Sequence, residues 1–292
     1  MSSVSSANYL LIDGVLRPDA LSALYQRTEV LEIEPLYLKT RWAPLHDLGP
    51  ILVSIHGSAN LVDETLDNAT RQADASLLHS DASMSNVADH LRRFIDPPDV
   101  LGGNGLLRFA DPLVTHHWLD SYQGAHLDAV LGPISTWHVP QSPHAWERSE
   151  LPVWRSFARQ AAQPGWVDSL GRLGEGQLSA LDQAARWKLI EQLYRSLEKD
   201  HPRHLARVDK GQLNRWFNER LDQAQAWGLG SERSVAIWVE FSLRWGDDFT
   251  SRLDAPYQQW LARTPDAHRL ATELRIQQME RDGLALELNE DA

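Results

Sequence analysis

The chain of 292 residues carries 42% hydrophobic and 23% charged residues, a globular balance that excludes disorder as the main state and admits one large domain or two smaller ones. It has no cysteine, which excludes disulfides, thiolate zinc sites, iron–sulfur clusters and cysteine nucleophiles and makes a reducing cytoplasm the expected compartment. The formal net charge of −12 is concentrated in residues 1–150, where 9 basic residues stand against 19 acidic ones, so nucleic acid and anionic membranes are not expected partners and basic proteins are the better fit.

Met1 to Asn8 is serine-rich without Lys or Arg, and the apolar run Tyr9 to Ile12 is too short for a signal-peptide core, so neither export nor membrane insertion is expected. That run reads as a strand stopped by Asp13 and Gly14, and Pro18-Asp19 then opens a helix carrying Leu21, Leu24 and Tyr25. Leu36 to Leu38 is a second strand candidate. Ile51 to Ile55, entered through Gly49-Pro50, is the third, and Asn60 caps a helix with Leu61, Leu66 and Ala69 on its faces. Ala75 to Leu78 is a fourth strand, after which Ser85 starts a helix with Val87, Ala88, Leu91, Phe94 and Ile95 at helical spacing, ended by Asp96-Pro97-Pro98. A fifth strand is predicted over Leu106 to Ala110, a helix around His116 to Tyr122, and a last extended piece from Val130 to Val139. The alternation predicts an α/β domain over residues 1–140, with helices flanking a mostly parallel or mixed sheet.

Residues 141–176 have prolines, glycines and Trp-centred polar stretches with no clean period, and read as an irregular bridge. Residues 177–292 read as an all-α region. Leu178, Leu181, Ala185, Leu189, Leu193 and Leu197 recur at spacings of three and four, as do Leu213, Trp216, Phe217, Leu221 and Ala224. Ser231 caps a third helix, Val235 to Trp245, apolar on most sides and so expected to be central. Thr264-Pro265-Asp266 opens a final helix that Gly283 is expected to terminate. Of 12 tryptophans, most belong in cores. Trp137, Trp146, Trp154 and Trp166 lie in or beside the irregular bridge and are the candidate partner-binding anchors.

Five signatures occur in one order: Tyr9-Leu10-Leu11-Ile12-Asp13-Gly14, Leu48-Gly49-Pro50-Ile51-Leu52-Val53, His90-Leu91-Arg92, Leu106-Leu107-Arg108-Phe109-Ala110-Asp111-Pro112, and Leu131-Gly132-Pro133-Ile134-Ser135-Thr136-Trp137. Together they resemble the domain, long described as of unknown function, that defines type VI secretion adaptor chaperones. The resemblance covers about residues 9–140. It implies a non-catalytic protein that holds a toxic effector, often by the effector's N-terminal region, and loads it onto a VgrG spike without being secreted itself. The helical region would be the variable half that helps choose the effector. Read as chemistry, Asp13, Gly49, Pro50, Arg108, Asp111, Pro112, Gly132 and Pro133 are fold devices. Pro after Gly fixes φ where the chain enters an extended segment, and Arg108 is expected to pair with Asp111.

Nine of the 12 histidines precede residue 150, so metal and acid–base chemistry must be weighed. His116 and Asp120 would share a helix face, but His116 and His117 diverge on a helix and no His-Glu-x-x-His pattern is present, so no metal site is expected. His79-Ser80-Asp81 has triad residue types whose directions alternate along a strand, and no Gly-x-Ser-x-Gly elbow exists. Gly102-Gly103-Asn104-Gly105 precedes a strand candidate, where a dinucleotide loop would follow one, so no cofactor is expected. The alternative to an adaptor is a hydrolase-like α/β enzyme using His79, Asp81, Asp111 and His116, which requires those side chains to converge in one concave pocket.

Overall fold

The computed structural model describes residues 4, 7–28, 32–55, 59–100, 102, 103, 105–147, 153–162 and 171–290. The chain divides into two compact units, Met1–His144 with Arg148–Ala185, and Ala145–Glu147 with Arg186–Ala292.

The first unit is built on strands β1 (Tyr9–Asp13), β2 (Glu32–Pro35), β3 (Pro50–Ser54), β4 (Ala75–His79), β5 (Thr136–Pro140) and β6 (Trp154–Ala158). They form one sheet in the order β2-β3-β1-β4-β5-β6. Every pairing between these six strands is antiparallel, which corrects the expectation of a mostly parallel or mixed sheet. A strand buried on both faces is an unbroken apolar run whichever way its neighbours point, so its composition carries no direction. Here β1 lies between β3 and β4 and runs against both.

Alternation along the strands feeds two cores. Leu10 and Ile12 of β1, Ile51 and Val53 of β3 and Leu77 of β4 pack with Ala20 and Leu24 of α1 (Ala20–Tyr25) and Leu61 of α2 (Ala59–Asp67). The short α3 (Ala69–Asp74), capped by the Asn68 side chain, leads into β4. On the other face Tyr9, Leu11, Leu52, Leu78, Trp137 and Val139 pack with residues of α4 (Met84–Arg92), α5 (Pro112–Asp120) and α6 (Gly124–Leu131), including Leu91, Trp118 and Val130. Helices therefore cover both faces of the sheet.

Several boundaries differ from expectation for local reasons. The second strand is Glu32–Pro35, and Leu36–Lys39 is a 3₁₀ turn, because Pro35 has no N–H to extend the ladder. No strand forms at Leu106 to Ala110. Leu107, Phe109 and Ala110 plug the core from a loop, and Leu107 N donates to Ile95 O at 3.1 Å, since β4 and β5 already pair side by side. The piece expected extended from Val130 is helical to Leu131, turns at Gly132, and becomes β5 only at Thr136. The interval expected irregular contains β6, whose only buried side chain is Phe157, so its alternation was too faint to register.

The helix α7 (Glu175–Asp200) belongs to the second unit from Arg186 onward, and α8 (Pro202–Leu205), α9 (Leu213–Ala226), α10 (Glu232–Trp245), α11 (Pro256–Arg263) and α12 (Thr272–Glu290) complete that unit. Val235, Ile237, Trp238, Val239 and Phe241 of α10 are all buried, so this helix is central as its composition predicts, and Ser231 caps it by accepting from Ser234 N. Gly283 lies inside α12 and does not end it. No helix among the described residues is long and apolar enough to cross a membrane.

Candidate functional site

Six of the signature residues meet at one corner of the sheet. Asp13 ends β1 nearly buried, and its Oδ1 accepts from Val15 N at 2.9 Å and Leu16 N at 3.0 Å, which turns the chain after the strand. Arg108 Nη2 donates to both Asp13 carboxylate oxygens, at 3.0 and 2.9 Å, and lies 3.7 Å from Asp111 Oδ2. Asp111 also accepts from Leu113 N at 3.1 Å as the cap of α5, with Pro112 in the first helical position. The expected Arg108–Asp111 pair is therefore present and extended, one guanidinium tying the end of β1 to the start of α5. Burial pushes the Asp13 carboxyl up from its ordinary range, against the pull of Arg108 and the Leu16 N–H. Burial, and then the Asp13 charge, also raise the Tyr37 hydroxyl.

Gly14 makes the corner possible. Its N–H donates to Gly49 O at 3.1 Å, and a Cβ there would stand 2.3 Å from Asp47 O and 2.8 Å from Gly49 O. Gly49 lies against the Tyr37 ring, and Pro50 starts β3 directly opposite Asp13. The other two signature residues sit at the turn from α6 to β5. Gly132 has φ 55°, and a Cβ on it would be 2.3 Å from the His90 ring. His90 Nε2 donates to Val130 O at 2.7 Å, while Pro133 O accepts from Ser80 Oγ at 2.7 Å. Burial pushes the His90 imidazole down to about 4, outweighing the bond to Val130.

The tryptophan anchors fare differently. Trp137 is completely buried, its Nε1 donating to Ser76 Oγ at 2.9 Å, so it offers a partner no surface. That expectation is corrected: β5 is an interior strand covered on this face by helices. Trp146 packs into the helical core, its ring 5.6 Å from that of Phe217 and 4.7 Å from that of Tyr194. Trp154 is half-buried against the core of Leu10 and Ile12. Trp166 lies outside the described residues.

The residues of the enzyme alternative occupy different surroundings. Asp111 is consumed by the cap of α5 and by Arg108. His116, half-buried, stands against Phe157 with ring centroids 6.2 Å apart, and burial followed by the His117 charge depresses its imidazole. Asp120 is paired with Arg155. His79 ends β4, and Asp81 lines a groove of about 730 Å³ with Asn8, Tyr9, Ser54 and Ser80 at the end of the sheet away from Asp13. Among the described residues no group of three or more His, Asp or Glu side chains is placed to hold a metal ion.

What residue-by-residue reading passes over is a set of apolar side chains around the Asp13 corner. Val15, Leu16, Leu45, Leu48 and Leu106 are each between 41% and 48% exposed. The available signal was their position in turns between strands, where polar residues ordinarily serve.

A family model described as a domain of unknown function (DUF4123) matches residues 8–129. The matched stretch takes in Asp13, Gly49, Pro50, Arg108, Asp111 and Pro112 and stops short of Gly132. No curated protein and no solved structure matches the chain.

Proposed function

We propose that this chain is a non-catalytic adaptor that binds a type VI secretion effector by the effector's N-terminal region and loads it onto a VgrG spike. The observation that carries the reading is the coincidence of the signatures with the matched domain: four of the five lie wholly within residues 8–129. Two further features support it. The signature residues act as struts, so the chemistry they perform is the positioning of backbone and turns, which suits a binding scaffold. The exposed apolar side chains around them offer area for a protein partner. Acidic charge in the first half disfavours nucleic acid as that partner.

The test is affinity purification of the tagged full-length chain from its native host, with identification of the bound chains. Recovery of a spike protein together with one toxin, and absence of the chain from ejected material, is the expected outcome. Recovery of neither, accompanied by turnover of a small molecule, would sink the adaptor reading in favour of an enzyme.

A further inference from the structure

We infer that the corner between β1 and β3 is a docking surface for an apolar protein segment flanked by lysine or arginine. Three chain segments build it. Val15 and Leu16 are fixed by their N–H bonds to Asp13, and Leu48 N donates to Leu45 O at 3.0 Å, which keeps those two leucines on one turn. The two turns adjoin, because a Cβ on Gly14 would lie 3.0 Å from the Leu48 carbonyl carbon. Leu106 arrives from the third segment, two residues before Arg108, whose guanidinium is held on Asp13. The apolar side chains thus stand on a frame of ion pairs and backbone bonds, so little ordering entropy is lost when a partner covers them. Burying apolar area yields about 25 cal/mol per Å², a gain forgone while the surface faces water.

The charge around this surface selects the occupant. Its cations are already committed: Arg17 to Asp74, Arg41 to Asp96, and Arg108 to Asp13. Asp19 and Asp47 are exposed and have no ion-pair partner among the described residues. The rim is therefore acidic around an apolar centre, which fits cations flanking an apolar run. A second copy of this chain is disfavoured, since a two-fold contact would set the acidic rim against itself. That the segment belongs to the effector rests on the adaptor reading proposed above.

The test uses the full-length chain and three labelled synthetic peptides: a leucine-rich centre with lysine flanks, the same centre with glutamate flanks, and lysine flanks around a serine centre. Fluorescence anisotropy should show the lysine-flanked leucine peptide binding about ten-fold tighter than either of the others. The double variant L16S/L48S should lose about ten-fold of that affinity while keeping the wild-type melting profile. D47K should erase the preference for lysine over glutamate flanks. Equal binding of the lysine- and glutamate-flanked peptides, or undiminished binding by L16S/L48S, overturns the proposal. So does a wild-type dimer in sedimentation that L16S/L48S dissolves. Carrying L16S/L48S into the native-host purification separates the two readings. If toxin and spike are retained as in wild type, docking occurs elsewhere and the adaptor reading survives. If wild type recovers neither while the peptide preferences hold, the adaptor reading fails and the surface stands.

Discussion

Asp13 is 4% exposed, and a carboxylate that deep is tolerated only because Arg108 and the N–H groups of Val15 and Leu16 surround it. Arg108→Met keeps the aliphatic length and removes the charge. The two backbone donors remain and the Arg108 side chain is 32% exposed, so the loss should fall below that of a fully buried pair, at about 2 kcal/mol at neutral pH. The pH dependence of that loss is the sharper readout. Burial already holds the Asp13 carboxyl above its ordinary 3.8, and without Arg108 it rises further. A raised carboxyl makes the folded state bind more protons than the unfolded one above 3.8, so stability is lost as pH rises through the folded-state value. The deficit of R108M relative to wild type should therefore be smaller at acid pH, toward the ordinary 3.8, than at neutral pH, measured by urea unfolding. An equal deficit at both values would mean that Arg108 contributes packing alone.

His90 couples two elements. It rises from α4, donates to the last turn of α6 at Val130, and fills the space that Gly132 leaves. Its ring is held neutral in the fold, with its titration pushed down to about 4, while the unfolded chain protonates it near the ordinary 6.5. The unfolded state thus binds the extra proton between these values, and the stabilisation, complete above 6.5, is lost as pH falls toward 4. Between about pH 6.5 and about pH 5 this removes about 2 kcal/mol. His90→Gln can still donate to Val130 and cannot titrate, so its stability should fall by about 2 kcal/mol less over that interval; an unchanged slope would refute the assignment.

The same elements explain what the sequence made legible. Strands β1, β3 and β4 and helices α9 and α10 were readable because burial on both sides, or on a repeating face, leaves dense periodic apolar residues. Strand direction was not, since it depends on which strands become neighbours and leaves no mark on composition. The Arg108–Asp111 pair was readable from a spacing of three. The Asp13 partner, 95 residues away, was not, because nothing local announces it. The tryptophans misled for a related reason: Trp137 stands beside an aperiodic interval in the sequence but is fully buried on an interior strand in space.

At the scale of the whole molecule, charge is the feature with the longest reach. The chain carries −12, and residues 1–150 hold 9 basic against 19 acidic side chains, many of the basic ones already engaged within the fold. An excess of this size repels polyanions and draws basic protein surfaces across distances that single contacts do not span. Screening shortens that reach from about 14 Å at about 50 mM salt to about 4 Å at about 500 mM. Apolar contacts, in contrast, persist or strengthen as salt rises. An assembly joined by both should lose association rate first, while complexes already formed are held by the apolar contribution. We therefore expect the complex recovered from the native host to form poorly when extracts are made at about 500 mM salt, yet to resist washing at that concentration once assembled at about 50 mM. Recovery that is indifferent to salt during assembly would mean that the acidic half serves solubility and does not select the partner.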